Sequence, residues 1–103
     1  MDRIEQLKSF LGETPDDAFL THALALEYRK AGNPERAGIL FRKNLNLHPE
    51  YLATYYHYGQ LLERFGAISE ALSIYEKGMK LAKSAGDGHA YSELSNVWEA
   101  LKS

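Results

Sequence analysis

Ala18–Pro49 reads AFLTHALALEYRKAGNPERAGILFRKNLNLHP, and its outline recurs 34 residues later. Gly32 is matched by Gly66 and Ala37 by Ala71, while Leu24 stands against Tyr58, Ala25 against Gly59, Tyr28 against Leu62 and Phe41 against Tyr75. Pro15 and Pro49 are spaced by the same interval, and Leu7, Phe41 and Tyr75 carry one apolar position through three periods. A period of about 34 residues is the length of a helix-turn-helix repeat. Each such unit leaves an apolar face that a neighbouring unit covers, so stability is shared along the array.

Within the repeat, the stop and start signals place the helices. Phe19, Ala23, Leu24, Leu26 and Tyr28 give the stretch from about Asp17 to Ala31 a broad apolar surface. Gly32-Asn33-Pro34 closes that helix and opens the next: glycine accepts the left-handed cap, asparagine accepts from free N–H groups, and proline suits the first helical position. The following helix carries Ala37, Leu40, Phe41, Leu45 and Leu47 to about His48, and Pro49 ends it. Outward from this pair, Ile4, Leu7 and Leu11, widened by Phe10, predict a short helix over 3–11 that Gly12 stops, with Thr14 or Asp16 capping the next. A fourth helix is predicted over about 50–65, with Gly66 as its stop. A fifth runs from Ile68 to Ser84, since no proline stands at Lys83, and a last helix carries Tyr91, Leu94, Val97, Trp98 and Leu101. The short connections make successive helices antiparallel neighbours.

Size alternates with the same period. Ala25, Gly59, Ala37 and Ala71 let paired helices approach, and Leu24, Tyr28, Phe41, Tyr58, Leu62 and Tyr75 fill the space beside them. Burying one such large side chain contributes about 1.5–3 kcal/mol.

Composition narrows the function. The 103 residues are 45% apolar and 25% charged, the balance of a folded chain with a modest core. A net charge of −2 gives no basic footprint for a phosphate backbone, so nucleic acid is not an expected partner. The chain has no cysteine, which removes disulfides and thiolate chemistry. Its charged start and the lack of any run near the ~20 apolar residues that span a bilayer lead to a cytoplasmic, membrane-free expectation. His22, His48, His57 and His89 do not fall at the i, i+4 spacing of a helical metal site. No Ser-His-Asp pattern, phosphate loop or paired-carboxylate pocket is evident, so neither an enzyme nor a cofactor is expected.

Leu24, Ala25, Tyr28, Gly32, Ala37, Phe41 and Pro49, counted from Ala18, and Tyr58, Gly59, Leu62, Gly66, Ala71 and Tyr75, counted from Leu52, resemble the signature of the tetratricopeptide repeat family. Thr21, Asn44 and Lys83 depart from its pattern of a large residue, a small residue and proline. The resemblance implies an all-α, right-handed superhelical stack of antiparallel helix pairs, an α-solenoid of about six helices. Its expected parts are a half-repeat helix over 1–14, repeats over 15–49 and 50–85, and a capping helix over 86–103, together one domain. It also implies a protein-interaction scaffold whose concave groove holds a peptide or partner helix against the first helix of each repeat. On that basis the groove positions are Phe19, His22, Leu26, Arg29 and Lys30 in one repeat, with Ala53, Tyr56, His57, Gln60 and Arg64 in the next. An aromatic and aliphatic floor with cations at one end would suit a peptide carrying an acidic group. Arg29, Lys30 and Arg64 equally complement the negative ends of their helices. One subgroup of the family clamps chaperone C-terminal carboxylates with lysine and asparagine. His22, Leu26 and His57 hold those places here, which disfavours that ligand. The alternative expectation is a homodimer joined through Ile4, Leu11 or Trp98, with no separate peptide.

Overall fold

A computed structural model describes residues 2–103 as six helices: α1 (Arg3–Glu13), α2 (Ala18–Lys30), α3 (Pro34–Leu47), α4 (Ala53–Arg64), α5 (Ile68–Ala85) and α6 (Gly88–Lys102). The all-helical architecture and its six elements agree with the periodicity. The chain divides into two units at Pro49 and Glu50, the first holding α1–α3 and the second α4–α6.

Left-handed glycines close three helix ends, Gly32 and Gly66 as expected and Gly86 with them. Gly32, Gly66 and Gly86 have φ of 82°, 77° and 70°. In each case the N–H beyond the glycine reaches back to a carbonyl five residues earlier, Asn33 to Tyr28, Ala67 to Leu62 and Asp87 to Ala82. These closures satisfy carbonyls that the helix itself leaves free. Asp2, Asn33 and Asp87 cap the starts of α1, α3 and α6 by accepting from Glu5, Arg36 and Ala90.

Two boundary expectations are corrected. Gly12 lies inside α1, which ends one residue later at Glu13, and the capping Thr14 donates both its N–H and its hydroxyl to the Phe10 carbonyl. The stop belongs to Pro15, because a residue before proline is pushed out of the helical region, and Thr14 has φ −134° and ψ 74°. The cap of α2 is Asp17, accepting from the Leu20 N–H at 2.8 Å, rather than Thr14 or Asp16. Phe10 does not join the core; it is 53% exposed, and Leu7 is the side chain that α1 buries.

In the first unit, Leu7, Leu24, Ala25, Tyr28, Ala37 and Phe41 form the core. Two of the departures from the repeat pattern are buried here with polar bonds. Thr21 returns its hydroxyl to the Asp17 carbonyl at 2.8 Å, and Asn44 donates from Nδ2 to the Ala18 carbonyl at 2.9 Å. Lys43 reaches the Pro15 carbonyl at 3.0 Å, and the His48 ring meets the Asp16 carbonyl. The last turns of α3 therefore hold the α1–α2 connection and the start of α2.

In the second unit, α5 packs against both α4 and α6. Tyr55, Tyr58, Leu61, Leu62, Ala71, Ile74, Tyr75, Ala82 and Leu94 are buried. Close approach at Gly78 needs the missing side chain, since a Cβ there would lie 2.7 Å from that of Tyr55. Trp98 of α6 donates its indole N–H to Glu76 Oε2 of α5 at 3.0 Å, and the Lys102 ammonium sits 4.5 Å from its ring centre. These partners lie within the unit itself. Trp98→Ala is accordingly expected to lower stability by about 1 kcal/mol without altering the mass seen by sedimentation. A lighter species on mutation would instead establish that the indole joins two copies.

Candidate functional site

The expected groove residues of α2 separate into three groups. Phe19, in the first turn after the Asp17 cap, is 61% exposed, a large apolar ring in water. Leu26 and Arg29 are half-buried, and Lys30 is exposed. Lys30 also lines a shallow cavity of about 290 Å³ between α1 and α2, in company with Asp2 and Glu27. His22 is a correction: expected on the groove surface, it is only 6% exposed, with its ring tilted against Phe41 at a centroid distance of 5.7 Å. The cause is that apolar residues are spread around α2, so its spacing alone does not decide which flank α3 covers.

On α4, three expected residues form one cluster. Tyr56 is half-buried; His57 meets its ring edge-on at 5.3 Å, and Gln60 donates from Nε2 to the Tyr56 hydroxyl at 3.3 Å. Arg64 is exposed in the last helical turn, about 16 Å along the axis from Ala53.

Tyr56 also forms part of a cleft that the sequence reading did not place. Leu52, Ala53 and Tyr56 at the start of α4 face Ala90 and Leu94 of α6 across a cavity of about 220 Å³. Asp87, His89 and Glu93 complete its lining. The signal for α6 lay in the repeat itself, because Ala90 follows Tyr56 by one full period of 34. The helix expected as a cap, α6, thus lines the cleft in the register that Tyr56 holds one period earlier. Its charge also differs from the expected cationic end, since Asp87 and Glu93 are carboxylates and His89 lies 3.7 Å from Glu93.

Elsewhere the second unit is held by buried tyrosines. The Tyr75 hydroxyl donates to Glu63 Oε2 at 2.5 Å, and burial, reinforced by that carboxylate, pushes its ionisation far above the usual phenol range. Tyr55 is raised in the same direction, by burial first and the Glu50 charge second. Among the described residues no group of three or more His, Asp or Glu side chains could hold a metal ion, and no helix is long and apolar enough to cross a membrane.

No protein-family model matches the sequence. A TPR repeat-containing protein of Pseudomonas aeruginosa is 29% identical over 92 residues, covering 89% of this chain and 88% of that protein. The type III secretion translocator chaperone SycD of Yersinia enterocolitica has the same fold, with a TM-score of 0.85 over 96% of this chain and 69% of its own, at 15% identity. The crystal structure of a tetratricopeptide repeat domain protein from Salinibacter ruber superposes with a TM-score of 0.80, covering 84% of this chain and 96% of its own. That last likeness carries 35% sequence identity along with the shared fold, and with it the chain belongs to the tetratricopeptide repeat family.

Proposed function

We propose that the chain is a non-catalytic binding module that holds a segment of another protein against the first helices of its pairs. Tetratricopeptide repeat domains are generally protein-protein interaction modules, which supplies the class of partner. The observation that carries the reading is the cleft between α4 and α6, where Tyr56 is half-buried beside Leu52, Ala53, Ala90 and Leu94 and still borders open space. An aromatic ring held by Gln60 and His57, with one side unfilled, is a pre-positioned anchor for an apolar side chain. The exposed Phe19, with Leu26, Arg29 and Lys30, offers a second apolar and cationic strip on α2.

The test is affinity capture of partners by the wild type, Tyr56→Ala and Phe19→Ser, each first checked for unchanged helicity. Tyr56→Ala is expected to weaken the principal partner about 30-fold, the effect of losing an anchor worth about 2 kcal/mol. Phe19→Ser is expected to produce a smaller loss. Retention of every captured protein by both variants would remove these surfaces from the function.

A further inference from the structure

The α4–α6 cleft combines a small apolar floor with an acidic rim. Its volume of about 220 Å³ lies below the ~300–1,000 Å³ typical of small-molecule pockets, and suits one or two side chains of a peptide. Asp87 and Glu93 belong to the lining, and among the described residues that line it there is no lysine or arginine. His89 is the one basic side chain there, with its Nε2 3.7 Å from Glu93 Oε2.

Two opposing fields have to be weighed. The starts of α4 and α6 both lie at this end, and each helix start carries about half a positive charge. At α6 that charge is already met by Asp87, which accepts from the Ala90 N–H at 3.0 Å. The start of α4 has no side-chain cap, yet its partial charge is smaller than the full charge of Glu93, whose side chain is 52% exposed. The wider surroundings agree, because residues 50–103 hold seven acidic and five basic side chains, while residues 1–49 hold seven of each.

We infer that the cleft selects a basic-apolar peptide: an apolar side chain seated against Tyr56 and Leu94, with a neighbouring lysine or arginine held by Glu93 and Asp87. This rests on the binding-module reading and adds to it the sign of the ligand's charge, opposite to the acidic peptide that Arg29, Lys30 and Arg64 would favour. Rim charges of this kind act on specificity and encounter rate, so discrimination between peptides is the quantity to measure.

A random peptide library displayed on phage, selected on the immobilised full chain with Tyr56→Ala as control, tests it. Recovered peptides are expected to carry lysine or arginine within two positions of a large apolar residue. The leading peptide, synthesised with a fluorophore, should lose about five-fold in affinity to Glu93→Gln and about ten-fold to Glu93→Lys. Replacing its basic residue by glutamate should restore binding to Glu93→Lys. Peptides that are acidic or uncharged, or whose affinity ignores Glu93→Lys, would overturn the charge assignment and leave the binding module standing. Failure to enrich any peptide over the Tyr56→Ala control would remove both.

Discussion

Tyr75→Ala is expected to lower stability by about 3–5 kcal/mol, the range for deleting a large buried aromatic side chain. Tyr75 is wholly inaccessible, and its hydroxyl ends on Glu63 of α4, so truncation empties the space between α4 and α5 and removes a charge-assisted hydrogen bond. Against a total of about 5–15 kcal/mol for a small protein, this removes a large fraction of the stability, and at the low end of that range most of it. Urea unfolding followed by circular dichroism measures it, and a loss under 1 kcal/mol would contradict the packing. Tyr75→Phe keeps the ring and separates the two contributions; its expected loss is about 1.5–3 kcal/mol, that of a hydrogen bond to a charged group. The same tyrosine sets an alkaline limit. Folded Tyr75 retains its proton at pH values where the unfolded residue, with an ordinary value near 10, releases it. The unfolded chain then binds fewer protons, so this contribution is complete below pH 10 and declines above it by about 1.4 kcal/mol per pH unit. Tyr75→Phe should flatten that decline, leaving the part due to Tyr55.

Gly59→Leu is expected to be as damaging, at about 3 kcal/mol or more, because the residue opposite cannot yield. A methyl group at Gly59 would lie 2.2 Å from Cε1 of Tyr75 and 2.7 Å from both Cδ1 and Cζ. A buried ring tied at its hydroxyl has no free direction in which to swing. Gly59→Ala makes the balance of forces explicit. Alanine gains about 0.5–1 kcal/mol over glycine within a helix, and overpacking costs about 1–3 kcal/mol, so a net loss is expected. In a Tyr75→Ala background the obstruction is gone, and the same Gly59→Ala change should become neutral or stabilising. Equal effects in the two backgrounds, measured as a double-mutant cycle on the intact chain, would contradict a direct contact.

Much of the fold was legible because its decisive residues act locally. Gly32 and Gly66 end helices by backbone conformation alone, and the 34-residue recurrence of Phe41 and Tyr75 marked two side chains that are both wholly buried. Gly12 misled because the Thr14-Pro15 step, two residues later, sets the actual stop. The cap of α2 fell on Asp17 for a similar reason: three polar residues crowd that turn, and only the path of the backbone decides which of them reaches the Leu20 N–H. The site was less legible. His22 and Tyr56 hold equivalent places in successive repeats, yet one ring is packed on Phe41 and the other borders a cleft, a difference that depends on the neighbouring helices. The contribution of α6 to the lining of the cleft was not legible because its repeat signature is sparse, with Ala90 where Tyr56 stands one period earlier.

The grip of α3 on the chain before α2 has a bearing on how the molecule breathes. α1 packs on α2 and buries a single apolar side chain completely, which makes it the segment of least local stability in its half of the protein. Loosening that spreads from α1 meets Pro15, Asp16 and Ala18, all anchored from the far side by Lys43, His48 and Asn44. Fraying is thereby confined to the leading helix: its amides trade protons with solvent early, while the start of α2, with Phe19 beside it, stays ordered.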